Sequence, residues 1–209
     1  MKLTTVTQVT VDGVMQGNGG ATDEDRRNGF DRGGWAMGTG DDQTMTFINE
    51  TYERADAFLF GRRTYDLFAS FWGADEMARA AAEDPASNKI AAALNTKHKY
   101  LASTTVKRGS WADTTVLVGD LGAAIRELKA ERAGEVQVHG SATLVRCLLE
   151  RDLVDEVILL VVPVILGQGT RLFADAGRDI ALDLVDSRTD SKGVTIQVYR
   201  PNGRPHYAD

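Results

Sequence analysis

The sequence predicts an α/β fold, with a central mixed, mostly parallel sheet flanked by helices and a C-terminal antiparallel hairpin. Apolar, β-branched runs alternate along most of the chain with segments whose apolar residues have helical spacing, which is the pattern of βα units. Near the C-terminus, strand-like runs at about 180–188 and 193–200 follow each other across the turn sequence Asp190-Ser191-Lys192-Gly193. No proline-rich linker divides the 209 residues, so 1–209 is predicted to be a single domain.

Strands and helices are predicted in turn from the N-terminus. Residues 2–11 have the threonine and valine content of a strand, and the glycine-rich segment 13–40 follows as a long loop. Asp41 and Asp42 begin a helix that ends at about Arg54, because acidic residues suit the positive end of the helix dipole. Further strands are predicted at 57–60, 99–103, 115–118, 135–139 and 154–162. Further helices are predicted at 62–71, 75–94 with a break near Pro85, 120–132 and 142–151.

Composition argues against several classes of protein. With 24 Lys+Arg against 30 Asp+Glu, the net charge is −6, which disfavours binding to nucleic acid or to an anionic membrane. The one cysteine, Cys147, excludes an internal disulfide and a zinc site built from several thiolates, and the 3 histidines lack metal-ligand spacing, so no metal is expected. The N-terminus lacks the apolar run of a signal peptide, and no segment approaches the ~20 apolar residues of a membrane span. A cytoplasmic location is expected.

Three strand ends carry glycine or hydroxyl residues where a ligand could bind, at 60–64, 102–105 and 138–143. In open α/β sheets, ligands lie at the carboxyl ends of strands, where glycine admits a phosphate and free N–H groups receive it. Arg62 and Arg63 could meet phosphate oxygens with forked donors, and Thr64 and Ser141 could add hydroxyls. Any one junction alone is more simply a tight turn with solvated arginines, but three in one chain favour a nucleotide. Neither the G-x-G-x-x-G fingerprint nor the P-loop is present.

Five segments carry a family resemblance: VDG at 11–13, LFGRRTY at 59–65, VHGSATL at 138–144, LVDE at 153–156 and PVILGQG at 163–169. In these segments, and in their order, the chain resembles the RibD C-terminal-like reductases of the dihydrofolate reductase superfamily. The resemblance implies a dihydrofolate-reductase-like fold and an NADPH-dependent reductase that transfers a hydride to a small heterocyclic or conjugated substrate. The family includes the riboflavin-pathway 5-amino-6-(5-phosphoribosylamino)uracil reductase.

The resemblance also implies positions for the cofactor. Gly61, Arg62, Arg63 and Thr64 match the motif that holds the adenosine phosphate and the pyrophosphate, and Arg62 is predicted to select NADPH over NADH, with Arg63 or Lys97 as alternatives. The other predicted cofactor residues are Ser103 and Thr104 at the 2′-phosphate, Gly140, Ser141, Ala142, Thr143 and Leu144 at the pyrophosphate, and Met15 and Gly17 beside the nicotinamide. Thr104 stands where many relatives have an arginine. His139 adjoins the turn and either touches the ligand or makes a structural hydrogen bond.

The substrate side leaves alternatives open. Asp41 and Asp42 begin the helix that carries the pterin-binding carboxylate in dihydrofolate reductase, so either acid, or ordered water, could supply the proton, while both could simply cap the helix. Trp35 could stack on a planar substrate or pack onto the core. A nucleotide-binding protein without turnover and a true dihydrofolate reductase remain alternatives. Because relatives pair through terminal strands, a homodimer is expected, although the apolar run 157–162 would equally suit a buried central strand.

Overall fold

A computed structural model describes residues 1–173 and 175–208 of the chain. Its strands are β1 (Lys2–Thr10), β2 (Ala57–Gly61), β3 (His98–Ala102), β4 (Thr114–Leu117), β5 (Glu135–His139), β6 (Glu156–Val162), β7 (Leu182–Thr189) and β8 (Thr195–Pro201). Its helices are α1 (Asp23–Arg27), α2 (Asp42–Arg54), α3 (Arg62–Phe71), α4 (Asp75–Glu83), α5 (Lys89–Thr96), α6 (Leu121–Glu131) and α7 (Ala142–Glu150).

The strands form one sheet in the order β4-β3-β2-β5-β1-β6-β8-β7. Strands β1 to β6 run parallel to one another, whereas β8 is antiparallel to both β6 and β7. The predicted mixed sheet with a C-terminal hairpin is therefore confirmed. All five residues of β2 are buried, because helices cover both faces of a parallel sheet.

The alternating side chains of β1 show which helices cover each face. Leu3 and Val9 belong to the apolar cluster that contains Leu144 of α7, whereas Val6 packs in the cluster that contains Phe47 of α2. Successive residues of a strand point to opposite faces, so α7 and α2 lie on opposite sides of the sheet. Helix α2 precedes β2 and helix α7 follows β5, and both strands lie inside the sheet. The N-terminus of each helix therefore lies at the carboxyl edge of the parallel strands.

The structure confirms the predicted break near Pro85, adds a short helix in the loop 13–40, and places the apolar run 157–162 inside the sheet. The predicted helix 75–94 is two helices, α4 and α5, separated at Pro85, whose ring cannot continue the hydrogen-bond ladder. The loop 13–40 contains the one-turn helix α1, which a capping box between Thr22 and Asp25 starts. Strand β6 begins at Glu156 and lies between β1 and β8, so its apolar run is a buried central strand.

Candidate functional site

The turns that follow β2 and β5 meet at the carboxyl edge of the sheet. Leu59 is registered with Val138 across these neighbouring parallel strands, so the next residues along each strand converge. A Cβ built on Gly61 would lie 3.2 Å from the Ser141 Cβ and closer still to its hydroxyl oxygen. Glycine at position 61 lets the Ser141 side chain pack directly against the backbone, and a larger residue there would displace that side chain.

The turn after β5 also reaches the other predicted cofactor residues. Gly140 and Ser141 both have left-handed backbones, with φ of +63° and +59°. A Cβ on Gly140 would lie 3.6 Å from Thr64 Cγ2 and 3.7 Å from Met15 Cε. The ends of β1, β2 and β5 are thus brought together around one turn.

Two helices start at this edge without a side chain to cap them. Gly61 is the N-cap of α3 and Ser141 is the N-cap of α7, and neither end has a side-chain capping hydrogen bond. By contrast, Asp41 caps α2 and Asp120 caps α6. The first-turn N–H groups of α3 and α7, which include those of Ala142, Thr143 and Leu144, carry the positive end of each helix dipole and suit an anion.

The two arginines of the motif are held differently. Arg62 Nε donates to Asp66 Oδ2 at 2.5 Å on the outside of α3, where both side chains are about half exposed. Arg63 Nη2 donates to Asp25 Oδ1 at 2.6 Å, and the Asp25 side chain is only 5% exposed. Lys97 donates to the main-chain oxygens of Tyr52 and Glu53 at the C-terminal end of α2, which is the opposite edge of the sheet. Lys97 is therefore not placed to supply charge at the candidate site.

The loop 13–40 is folded against this edge. Phe30 is buried between Gly17 and Gly169, and a Cβ on Gly17 would lie 2.6 Å from its ring. Gly17 thus serves the packing of Phe30. The Trp35 indole N–H donates to the main-chain oxygen of Gln16 at 2.8 Å. The half-buried indole ring packs on the apolar cluster that contains Val6.

Asp25 contacts Arg63, and Gln16 contacts Asp25, and neither contact was predicted from the sequence. Burial alone would raise the pKa of the Asp25 carboxyl, but hydrogen bonds from Thr22 and Gln16 and the charge of Arg63 hold that pKa below its ordinary value. The spacing of Thr22 and Asp25 is the one sequence signal that could have indicated this helix start. Nothing in the local sequence indicates the contact with Arg63, which is 38 residues away.

His139 takes the structural alternative and does not reach the turn with its ring. The ring is 4% exposed, stacks on Tyr52 at 4.2 Å between centroids, and its Nε2 contacts Gln137 Oε1 at 3.0 Å. Burial, assisted by the charge of Arg54, lowers the pKa of His139 to about 3. The imidazole is therefore neutral and packed on the α2 face of the sheet.

At the end of β3, the hydroxyl of Ser103 is used within its own turn. It accepts from the Val106 N–H at 3.1 Å and the Thr105 N–H at 3.3 Å, while Thr104 is exposed. The turn stands at the strand next to β2, on the same edge as Gly61. The predicted 2′-phosphate role of Ser103 and Thr104 remains a prediction.

Asp41 takes the capping alternative, which removes it as a proton donor near neutral pH. One carboxylate oxygen accepts from the N–H groups of Gln43 and Thr44, and the other accepts from the N–H and hydroxyl of Ser191 at 2.9 and 2.6 Å. Hydrogen bonds from Ser191 lower the pKa of Asp41 to about 2. Asp42 is exposed and lines a cleft of about 350 Å³ between α2 and the β7–β8 hairpin.

Residues 1–173 and 175–208 contain neither a candidate metal site nor a membrane-spanning helix. This part of the chain has no group of three or more histidine, cysteine, aspartate or glutamate residues arranged to hold a metal ion. Within the same residues, every helix is too short or too polar to cross a membrane. The candidate functional site is the carboxyl edge of the sheet around Gly61 and the turn after β5.

The order of these motifs agrees with a family of known proteins. The family model for the RibD C-terminal domain matches residues 1–196. The chain belongs to the RibD C-terminal domain family. It is 29% identical over 197 residues to the uncharacterized protein YyaP of Bacillus subtilis (strain 168), an alignment that spans 93% of this chain and 92% of YyaP.

Solved structures share the fold of this RibD C-terminal domain. A Shewanella sp. PV-4 protein described as a riboflavin biosynthesis protein has a TM-score of 0.69 at 21% identity, over 97% of this chain and 99% of the other. A pyrimidine reductase-like protein from Corynebacterium diphtheriae has a TM-score of 0.59 at 14% identity, over 96% and 92%. A deaminase/5-amino-6-(5-phosphoribosylamino)uracil reductase from Thermotoga maritima has a TM-score of 0.61 at 14% identity, over 96% of this chain and 56% of its own. The dihydrofolate-reductase-like fold predicted from the motifs is confirmed.

Proposed function

We propose that this RibD C-terminal domain is an NADPH-dependent reductase that acts on a small heterocyclic or conjugated substrate. The observation that carries the proposal is the contact between Gly61 and Ser141, which brings the uncapped N-termini of α3 and α7 to one point. Two helix starts with free N–H groups suit a diphosphate better than a single anion, because each can receive one phosphoryl group.

The residues at this edge fit a dinucleotide. Gly61 and Gly140 leave room for close approach of a pyrophosphate, and the first-turn amides of α7 would bind it together with Thr64. Met15 lies beside Gly140 at the end of the central strand, where it would line the nicotinamide end. The cofactor supplies the hydride when it is bound, so the chain's task is to orient it against the acceptor and to exclude water.

The family supports reduction as the reaction. Relatives of this fold include a 5-amino-6-(5-phosphoribosylamino)uracil reductase and a pyrimidine reductase-like protein, which motivates a heterocyclic substrate here. Trp35, held by its indole N–H on Gln16, offers a partly exposed ring to a planar molecule. Because both oxygens of Asp41 are engaged by α2 and Ser191, we propose Asp42 or ordered water as the source of the proton.

The engagement of Asp41 favours a second candidate, a protein that binds a dinucleotide without turnover. Such a protein keeps the phosphate edge, by which we mean the carboxyl edge of the sheet around Gly61 and Gly140. It needs no acid beside the nicotinamide. Genuine dihydrofolate reduction ranks below both candidates, because it needs a carboxylate at the substrate. The Asp41 carboxylate instead binds Ser191 and caps α2.

Titration of the purified protein with NADPH and NADH, followed by a turnover assay at the nicotinamide absorbance, tests the proposal. We expect micromolar or tighter binding of NADPH and steady oxidation with members of a panel of pyrimidines, pteridines and conjugated carbonyls. Dihydrofolate is included as one member. Tight binding with no turnover on the panel would favour the second candidate, and absence of binding to either cofactor would contradict both.

A homodimer through the C-terminal edge of the sheet is part of the proposal. Strand β7 is the outer strand of the sheet, and its apolar side chains Leu184 and Val185 are 59% and 51% exposed. An exposed, eight-residue edge strand with apolar side chains is a surface that native proteins usually cover. A second copy would cover it on both chains at once, since a two-fold interface repeats the same patch.

A further inference from the structure

Asp25 is a buried carboxylate on the loop 13–40, and it contacts the phosphate edge through one residue. Its four hydrogen-bond donors are the Thr22 N–H at 2.9 Å, the Thr22 hydroxyl at 2.7 Å, Gln16 Nε2 at 2.6 Å and Arg63 Nη2 at 2.6 Å. Three of these donors belong to the loop itself. The fourth belongs to α3, so the carboxylate fixes the position of a guanidinium on a different element.

Hydrogen bonds from a second segment hold the residues that contact Asp25. Gln16, which donates to the carboxylate, is itself held by Thr170, whose N–H donates to Gln16 Oε1 at 2.8 Å and whose hydroxyl donates at 3.1 Å. Phe30, on the same loop, is buried at 4% exposure. A charged group held by hydrogen bonds from a packed segment can keep its partner in one geometry.

Arg63 stands where a fixed guanidinium would matter. It follows the Gly61 N-cap by two residues, and its neighbour Thr64 faces the turn at Gly140. Its side chain is 55% exposed, and within residues 1–173 and 175–208 its hydrogen bonds use only Nη2. The N–H groups of Nε and Nη1 therefore remain available to a further acceptor.

We propose that Asp25 is a positioning residue for dinucleotide binding, which holds Arg63 so that the free N–H groups of its guanidinium receive the pyrophosphate. Asp25 does not touch the ligand and acts only through Arg63. This inference rests on the proposed dinucleotide function. Arginine side chains lose much rotamer freedom when they are ordered, so a guanidinium that is already fixed binds about 10-fold more tightly than a free one.

The adjacent arginine shows what an unfixed guanidinium looks like. Arg62 pairs with Asp66 within the same helix, and the two side chains are 50% and 49% exposed. Exposed pairs of this kind are weak and do not hold a long side chain in one place. Asp25 and Asp66 therefore form a matched pair of carboxylates, one buried and one exposed, beside neighbouring arginines.

The opposite physical effect is neutralisation of Arg63 by Asp25. A carboxylate next to a guanidinium weakens its attraction for phosphate, so removal of Asp25 could tighten binding. Because Arg63 is more than half exposed, water screens this electrostatic effect, and we expect the loss of positioning to outweigh it.

A double-mutant cycle on NADPH affinity tests the inference. Arg63→Gln should weaken binding about 10- to 100-fold, because it removes charge-assisted hydrogen bonds to phosphate. Asp25→Asn should weaken binding about 10-fold, and the double variant should bind no more weakly than Arg63→Gln alone, since the two residues act as one unit. Asp66→Asn is the matched control and should change the affinity less than about 5-fold.

Tighter binding by Asp25→Asn, or losses that add in the double variant, would overturn the inference. Circular dichroism checks that each variant is folded. If Asp25→Asn does not fold, Thr22→Val removes one donor and keeps the carboxylate, and its smaller loss of affinity should vanish in the Arg63→Gln background. A wild-type chain that binds no NADPH contradicts the proposed function instead, so the two failures are distinguishable.

Discussion

Ser141 occupies the space that a side chain on Gly61 would need. Its backbone has a φ of +59°, a conformation that costs a residue with a Cβ about 1–3 kcal/mol. The Ser141 hydroxyl makes no capping hydrogen bond to α7, so helix capping does not offset the backbone strain. The strained turn instead keeps the N-termini of α3 and α7 side by side.

Gly61→Ala should weaken dinucleotide binding while lowering stability moderately. The new methyl group overlaps the Ser141 hydroxyl and lies 3.2 Å from its Cβ, so the hydroxyl must rotate and the neighbouring turn must shift by a few tenths of an ångström, at a cost of about 1–3 kcal/mol in the free energy of unfolding. Cofactor titration and chemical denaturation measure the two effects.

Gly19→Ala is the matched control, because a Cβ at that loop position has no atom within 4 Å. It should leave both the affinity and the denaturation midpoint unchanged. If Gly61→Ala binds NADPH as the wild type does, the two turns do not form the phosphate site.

His139 should make the protein less stable as the pH falls below neutral. Its pKa is about 3 in the folded chain and 6.5 as a model value, so between these limits the unfolded chain binds a proton that the folded chain does not. A depressed histidine pKa therefore removes stability from pH 6.5 downward, by about 1.4 kcal/mol per pH unit at most. Denaturation at a series of pH values measures this slope.

His139→Phe keeps a ring on Tyr52 but cannot take up the proton, so its slope over this range should be shallower than that of the wild type. His206→Gln, in the exposed C-terminal tail, serves as the control and should keep the wild-type slope. Equal slopes in wild type and His139→Phe would show that the imidazole is not buried in neutral form.

Much of the fold could be predicted because it depends on local sequence patterns. Each parallel strand is an apolar run bounded by turn residues, and Asp120 and Pro85 mark helix boundaries by their own chemistry. The place of Gly61 and of the turn at Gly140 at the carboxyl edge of the sheet was equally accessible, since both stand in motifs directly after strands. Short-range signals were sufficient for both.

The remaining features depend on residues that meet only after folding. The Asp41 carboxylate caps α2 with one oxygen, and its other oxygen accepts from Ser191, 150 positions later, in a contact that the sequence did not indicate. His139 is adjacent in sequence to the turn at Gly140. Because side chains alternate along a strand, its ring points instead to Tyr52 of α2. No periodicity or spacing reports which acid faces which partner across such distances.

Leu184→Asp should convert the proposed homodimer to a monomer. A carboxylate at this half-exposed position of β7 would be buried without a partner in a two-fold interface, and that is costly. Light scattering at micromolar concentration gives the mass. Val118→Asp changes a residue that is 71% exposed after β4, at the opposite edge of the sheet, and should leave the mass unchanged. A wild-type mass of one chain would contradict the dimer itself.

Arg62 should choose between the two cofactors. Its guanidinium starts α3 directly after Gly61, and its partner Asp66 is half exposed, so the weak pair can give way to a 2′-phosphate at little cost. Charge-assisted hydrogen bonds to that phosphate contribute about 1.5–3 kcal/mol each, and NADH cannot form them. Arg62→Ala should therefore weaken NADPH binding about 10- to 100-fold and NADH binding far less, as measured by titration with both cofactors. An unchanged NADPH-to-NADH affinity ratio would contradict the assignment of Arg62 to the 2′-phosphate.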